Sequence, residues 1–384
     1  MIVRIEPRPL KGIVRAIPSK SDAHRLMIAQ HLSGGTPCAA YGSGDLLATE
    51  SCLRALRGGK AELDCGESGS TLRFLLPVAA ALGRQARFTG RGRLPQRPLF
   101  PITEELRRHG VRVSGDRLPL SIEGRLTPGE YRLPGDVSSQ FVTGLLFALP
   151  LLDGDSSIVL TSPLESGAYV EMTLRTLQRS AIAFSRTDNG FHVPGRQVFR
   201  CPQDVLPEGD WSNAAFFLCA GRMSGTQIGI TGLDSASAQS DRAIERILRE
   251  NEPGQPLSLD VRNCPDLFPV LTVLAASCRG TSVFSGGSRL RIKESDRIQA
   301  MKDTLLALGG KAEETADGLA VFGCGRLRGG TVDGKNDHRV VMAAAAAACI
   351  CREPVEIAGA EAVEKSYPDF FRDYNRLGGC AYGV

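Results

Sequence analysis

The 384-residue sequence has no long apolar run: the longest, "VVMAAAAAACIC" at 340–351, is too short to span a bilayer. Its opening "MIVRIEPRPL" has no apolar core of the kind a secretory signal needs, so a soluble, cytoplasmic protein with no membrane association is expected. No C-x-x-C pair occurs. The eleven cysteines are odd in number and scattered, with Cys349 and Cys351 too close for a structural staple, which excludes a disulfide framework and fits reduced, interior thiols. There is no H-E-x-x-H, no Walker A and no G-x-G-x-x-G after a strand, and the five histidines are dispersed. No metal or cofactor is therefore expected. Charge of one sign is missing as well: 46 basic residues face 42 acidic ones, a net +4 that does not by itself argue for nucleic-acid binding.

What is present is an ordinary globular composition, 42% hydrophobic and 23% charged, in a chain long enough for two domains each with its own core. A repeat organises it. A small or acidic residue followed by an Ala/Leu-rich helical run begins near Ser19, Ser68, Ser138, Ser212, Asp266 and Asp337. A short β-like segment comes after these runs: "TPCAAYGSG", "QARFTG", "SSIVLTSP", "TQIGITGL", "TSVFSGG" and "EPVEIAGA". A second, amphipathic helix follows, ending in a Leu-rich turn, often a Gly, then a strand, as in "LRRHGVRVSG" and "LLALGGKAEE". The copy at "RILRENEP" is the weakest. Six units suggest two lobes of three rather than one solenoid, because the Pro-rich "CPQDVLPEGD" at 201–210 interrupts the series. The expected lobes are 15–207 and 1–14 plus 208–384, with a ligand cleft where they meet.

The helix starts carry charges that plain helices would not want. Lys20 sits in a first turn, where the dipole disfavours cations, and Arg25 can lean back toward the same end. "ESGSTLR" brings Gly69, Ser70 and Arg73, "NDHR" brings His338 and Arg339, and "RIKESDR" brings Lys293, Glu294 and Arg297. "VSSQF" offers the neutral donors Ser138, Ser139 and Gln140. Each alone reads as capping or surface solvation; their recurrence at equivalent points of a repeat asks for several anionic groups bound by N–H donors, hydroxyls and Arg forks. Among the cations stand Glu294 and Asp266. They read as an ion-pair partner and an N-cap, or as an acid/base pair. The Arg-rich "RQARFTGRGRLPQRP" at 84–98 has one aromatic and two prolines, which suits a substrate-covering loop better than a nucleic-acid patch.

Seven stretches in one order, "PSKSDAHR", "ESGSTLRF", "LPQRPL", "VSSQF", "IKESDR", "NDHR" and "KSYPDFF", resemble the EPSP synthase family, the 3-phosphoshikimate 1-carboxyvinyltransferases, across residues 18–370. The resemblance implies an α/β fold, an inverse α/β prism of two domains with three βαβαββ units each, six repeats in all. It implies a monomer that acts on two small molecules, transferring the enolpyruvyl group of phosphoenolpyruvate to the 5-hydroxyl of shikimate 3-phosphate and releasing phosphate. Carried over by motif, Lys20, Ser21, Arg25, Ser138, Ser139, Gln140, Ser166, Asp266 and Lys293 would bind shikimate 3-phosphate. Lys20, Gly69, Arg97, Gln140, Arg297, Arg339 and Lys365 would bind phosphoenolpyruvate, and Asp266, Glu294 and Lys20 would catalyse. The sequence departs from the family at Glu67, at Arg289 and in "SGAYV" at 166–170, which lacks a Lys-Pro pair. Two rivals remain. A UDP-N-acetylglucosamine enolpyruvyl transferase would use a loop cysteine, and the segment 91–97 has none; a non-catalytic phosphate-binding relative would not need Lys20, Asp266, Glu294 and Lys365 together.

Overall fold

The computed structural model describes residues 1–36, 42–57 and 60–384, and the chain divides into two compact units. One is continuous, 20–207; the other is split, 1–19 together with 208–384. Residues 15–19, expected with the first lobe, belong to the split unit, because Ala16 N donates to the Thr231 carbonyl at 2.8 Å and Ser19 N to that of Glu208 at 2.7 Å. The split unit opens with strands β1 (Ile2–Ile5) and β2 (Gly12–Arg15).

The continuous unit begins with helices α1 (Lys20–Leu32) and α2 (Gly44–Ala55). The "TPCAAYGSG" strand expected between them falls mostly on 37–41, outside the described residues. Next come β3 (Lys60–Asp64), α3 (Gly69–Ala81), β4 (Gln85–Thr89), α4 (Phe100–Arg108), β5 (Arg112–Val113) and β6 (Leu120–Glu123). The order repeats in β7 (Glu130–Leu133), α5 (Ser139–Ala148), β8 (Ser156–Leu160), α6 (Gly167–Arg179), β9 (Ser185–Thr187) and β10 (Gly190–Val193). Each set makes one sheet, β3-β4-β6-β5 or β7-β8-β10-β9, whose first pair is parallel and whose others are antiparallel. A parallel pair needs a crossover, which α3 and α5 supply, while the antiparallel pairs β5-β6 and β9-β10 follow one another directly along the chain. Both crossover helices are apolar nearly all round because they form the core. They also approach closely: a side chain at Gly144 would collide with the Arg73 carbonyl, the one to which Pro77 cannot donate.

The split unit continues with α7 (Trp211–Ser224), β11 (Ile228–Thr231), α8 (Ala243–Glu250), β12 (Ser258–Asp260), α9 (Phe268–Ala276), β13 (Arg279–Ser285) and α10 (Arg297–Ala307). It ends with β14 (Lys311–Glu314), β15 (Leu319–Cys324), β16 (Gly330–Asp333), α11 (His338–Ala347), β17 (Val355–Ala358), α12 (Phe370–Arg376) and β18 (Ala381–Gly383). The sheet β12-β13-β15-β14 repeats the same pattern. In β16-β17-β1-β18 the N-terminal strand fills the third place. Among the described residues the sheet β11-β2 has two parallel strands. After α8 the chain passes to β12 with no hairpin, which is why "RILRENEP" is the poorest copy of the repeat.

Among the described residues no helix is long and apolar enough to cross a membrane, and the described cysteines are free.

Candidate active site

In the continuous unit the expected residues collect at helix amino ends. Lys20 opens α1 and its Nζ donates to Asp45 Oδ2 at 2.7 Å, from the first turn of α2. Arg25 points back along α1, as a long helical side chain does. Its guanidinium donates to the Ser21 carbonyl, to the Tyr169 carbonyl at 2.8 Å and to Thr173 Oγ1 at 2.9 Å, and lies 5.1 Å from the Phe74 ring centroid. Burial pushes Arg25 down to about 10 against the pull of Asp22 and Tyr169, which leaves it cationic at neutral pH.

At the start of α3, Ser68 Oγ caps the helix by accepting Thr71 N at 3.2 Å. A β-carbon at Gly69 would stand 2.6 Å from Arg97 Nη1 and 2.8 Å from Arg73 Nη1. The bare glycine thus lets two guanidinium groups lie against a helix end whose N–H groups already favour anions. Arg73 Nη1 donates to Gln140 Oε1 at 3.0 Å, and Gln140 Nε2 donates to Ser70 Oγ at 3.0 Å, which ties α3 to α5. Ser138 caps α5 by accepting Gln140 N at 3.3 Å, and Ser139 behind it is buried. Ser166, just before α6, is buried with a left-handed φ of 54°, strain of the kind that collects at ligand sites. Residues 84–98, expected to be a covering loop, are partly strand: Gln85–Thr89 is β4, and a 3-10 turn at Leu94–Gln96 delivers Arg97.

In the split unit one guanidinium organises the cluster. Arg297, 1% exposed, donates through Nε to Asp337 Oδ2 at 2.9 Å, through Nη1 to Asp266 Oδ1 at 2.8 Å and through Nη2 to Glu294 Oε2 at 2.9 Å. Arg339 Nη2 donates to the other Asp266 oxygen at 2.8 Å. Asp266 is therefore no N-cap: it lies in a 3-10 turn, Pro265–Leu267, and its carboxylate is spanned by two arginines. Burial would raise its pKa, but Arg339, Lys293 and Arg297 outweigh that and hold it well below the usual carboxylate range. Lys293 and Glu294 lie ahead of α10, which starts at Arg297 under an Asp296 cap. Lys365 Nζ donates to the Asn336 carbonyl at 2.6 Å, on a turn where Lys335 and Asn336 both have φ 52°. Arg289 Nη2 donates to the Arg262 carbonyl at 3.0 Å.

One cluster is cationic with neutral donors; the other places carboxylates among cations. Cations with neutral donors suit anion binding, and carboxylates among cations suit proton transfer. The family profile of EPSP synthase (3-phosphoshikimate 1-carboxyvinyltransferase) matches residues 42–374. A 3-phosphoshikimate 1-carboxyvinyltransferase of Clostridium kluyveri is 40% identical over 416 aligned residues, covering 98% of this chain and 97% of the relative. The chain belongs to the EPSP synthase family. One from Clostridium novyi is 38% identical over 425 residues, with 98% and 97% covered. Among solved structures, an EPSP synthase from Acinetobacter baumannii superposes with a TM-score of 0.79 at 24% identity, all of both chains covered. The enolpyruvyl transferase NikO from Streptomyces tendae gives 0.78 at 16%, covering 100% of this chain and 98% of that one. At such identities these two establish the fold alone.

Three neighbours of the expected residues in this EPSP synthase family member escape sequence reading. Asp45 pairs with Lys20 from 25 residues away, and Asp337, expected as a helix start and found as the cap of α11, has an unforeseen second role in binding Arg297. The third is Asp241, on the 3-10 turn Ser240–Arg242. It is 2% exposed, and burial, with Asp266 and Asp210 nearby, pushes its carboxyl up to about 7 against the pull of Arg339 and Ser212. The sign follows from linkage: below about pH 4 this group is protonated folded and unfolded, and between about pH 4 and pH 7 only the unfolded chain releases the proton, so folding loses stability across that interval. Asp241→Asn, which mimics the protonated acid, should raise the melting temperature clearly at pH 8 and hardly at pH 4. Calorimetry at the two pH values checks this; a gain equal at both would contradict it.

Proposed function

We propose that this chain transfers the enolpyruvyl group of phosphoenolpyruvate to the 5-hydroxyl of shikimate 3-phosphate and releases phosphate by addition and elimination through a tetrahedral intermediate. The observation that carries the proposal is the pairing of two groups on one chain: cations at the starts of α1 and α3, and the Asp266–Arg297–Glu294–Arg339 cluster. In this reading Lys20, Ser21, Arg25, Ser138, Ser139, Gln140, Ser166, Asp266 and Lys293 hold shikimate 3-phosphate. Lys20, Gly69, Gln140, Arg97, Arg297, Arg339 and Lys365 hold phosphoenolpyruvate.

The chemistry begins with protonation of the phosphoenolpyruvate methylene carbon, which leaves the adjacent carbon cationic, while the shikimate 5-hydroxyl gives up a proton and attacks. Glu294 delivers the carbon-side proton. Asp266, held ionised by its arginines, takes the hydroxyl proton with Lys20 assisting. Elimination then returns a methyl proton to Glu294 and expels phosphate, whose growing charge the Arg and Lys donors stabilise. The same reading makes the protein a cytoplasmic monomer. Purified protein mixed with both substrates should release phosphate continuously. No release would end the proposal, and release only when UDP-N-acetylglucosamine replaces shikimate 3-phosphate would transfer it to that activity.

A further inference from the structure

Two neighbouring residues of α1 each begin a buried chain of hydroxyls. Arg25 donates to Thr173 Oγ1, which lies 2.8 Å from Thr143 Oγ1. His24 Nδ1 lies 2.8 Å from Thr49 Oγ1, Thr49 Oγ1 lies 2.6 Å from Thr71 Oγ1, and Thr71 Oγ1 donates to Ser68 Oγ at 2.7 Å. His24, Thr49 and Thr71 are wholly buried and Ser68 is 1% exposed, so the second chain runs through dry interior from α1 across α2 to the cap of α3.

Its polarity can be worked out. A hydroxyl has one hydrogen. Thr71 spends its hydrogen on Ser68, so Thr49 donates to Thr71, and the His24 Nδ1–H donates to Thr49. The imidazole is thereby fixed as the Nδ1–H tautomer, with the partnerless Nε2 as an unprotonated nitrogen, rather than as a buried N–H with no acceptor. Burial, then Lys20 and Arg25, hold His24 well below the usual histidine range, which favours the neutral imidazole. Both threonine hydroxyls also lie near the Asp45 carbonyl, Thr49 at 3.3 Å and Thr71 at 3.4 Å. Asp45 is the residue whose carboxylate receives Lys20.

We propose that His24 and Thr49 are positioning residues for the reaction: their hydrogen-bond chain, running through Thr71 to the Ser68 cap, fixes the amino end of α1, where Lys20 lies, relative to the amino end of α3, where Gly69 lies. This rests on Lys20 being a substrate-contacting group, as argued above. A chain of this kind could otherwise serve only to hold three helices together, and the two roles differ in what they leave behind. A misplacement of about 1 Å at a reacting group can cost a hundredfold in rate without unfolding anything. Loss of a packing hydrogen bond lowers the melting temperature and leaves turnover alone.

Wild-type turnover is measured first, because its absence would count against the proposed activity and not against this inference. Thr49→Val keeps the shape and loses the hydroxyl, and should lower kcat by about tenfold to a hundredfold while KM for each substrate stays within about threefold. Thr49→Ser restores the hydroxyl and should restore kcat. A lowered melting temperature with unchanged kcat in Thr49→Val would overturn the proposal, as would a Ser variant no better than Val. Should Thr49→Val not fold, His24→Asn and His24→Gln carry the same test. The Asn amide reaches where Nδ1–H stands and should support turnover. The Gln amide, of the same polarity, reaches the Nε2 position and should not, so equal kcat in these two variants would also overturn the proposal.

Discussion

Glu294→Gln should lower kcat by about a hundredfold to ten-thousandfold, the range that a positioned acid or base supplies. The change is mild in shape. The amide keeps an oxygen where Arg297 Nη2 now donates at 2.9 Å, so the guanidinium retains that acceptor and the fold should persist. What disappears is the ability to give a proton to carbon and take it back. The diagnostic measurement is therefore exchange of the phosphoenolpyruvate methylene hydrogens with solvent, alongside kcat. Exchange and turnover should fall together. Exchange at the wild-type rate in the variant would remove Glu294 from the carbon-side role. Asp266→Asn should also stop turnover, for a different reason: it discards the negative charge that two arginines now share, and with it the acceptor for the hydroxyl proton.

Arg297→Met should cost about 3–5 kcal/mol, the loss expected when one partner of a buried ion pair is removed and the other charges stay. Three carboxylates depend on this side chain, and one of them, Asp337, is 0% exposed. Burial opposes charge on Arg297 itself, but Asp337, Glu294 and Asp266 hold it firmly protonated. The pH dependence has a definite sign. Asp337 and Asp266 are held below their unfolded value, so the stability they contribute exists above about pH 4 and drains away as pH falls through their folded values. In the variant Asp337 loses its main cation and Asp266 one of its two arginines, and the buried carboxylates relieve the cost by taking up protons. The melting-temperature deficit should be largest at pH 7 to 8 and shrink toward pH 4. Arg297→Lys should not repair it, since one ammonium cannot reproduce a planar fork engaged on three sides. A deficit independent of pH would show that packing, not charge, is what Arg297 provides.

The periodic features were legible and the long-range ones were not. The crossover helices α3, α5, α9 and α11 announce themselves as apolar runs after Ser, Pro-Asp or Asn-Asp, because a helix buried on all sides must be apolar on all sides. The segment 201–210 contains the point where the chain returns to the split unit. The start near Ser212 is in fact capped by Asp210, a shift of the size that separates a capping signature from a measured cap. Asp266 could be read as a cap from its neighbours alone; only the fold brings Arg297 and Arg339, 31 and 73 residues away, onto its two oxygens. Asp45, Asp241 and the His24–Thr49–Thr71 chain share that cause, since a lone Asp, His or Thr has no local pattern that names its partner. The two-strand sheet β11-β2 was hinted at by the weak "RILRENEP" copy, although the copy alone could not say that a hairpin was missing rather than divergent.

The route of the chain through its two units has a consequence for biosynthesis. Residues 20–207 are contiguous and contain both of their sheets, so this unit has everything it needs once its last strands leave the ribosome. The other unit must wait. Its strand β1 is made before the 20–207 unit, yet the neighbours that flank it, Val355–Ala358 and Ala381–Gly383, are made after it. Strand β1 therefore stays without either neighbour until the chain has passed through the whole 20–207 unit and most of the split unit.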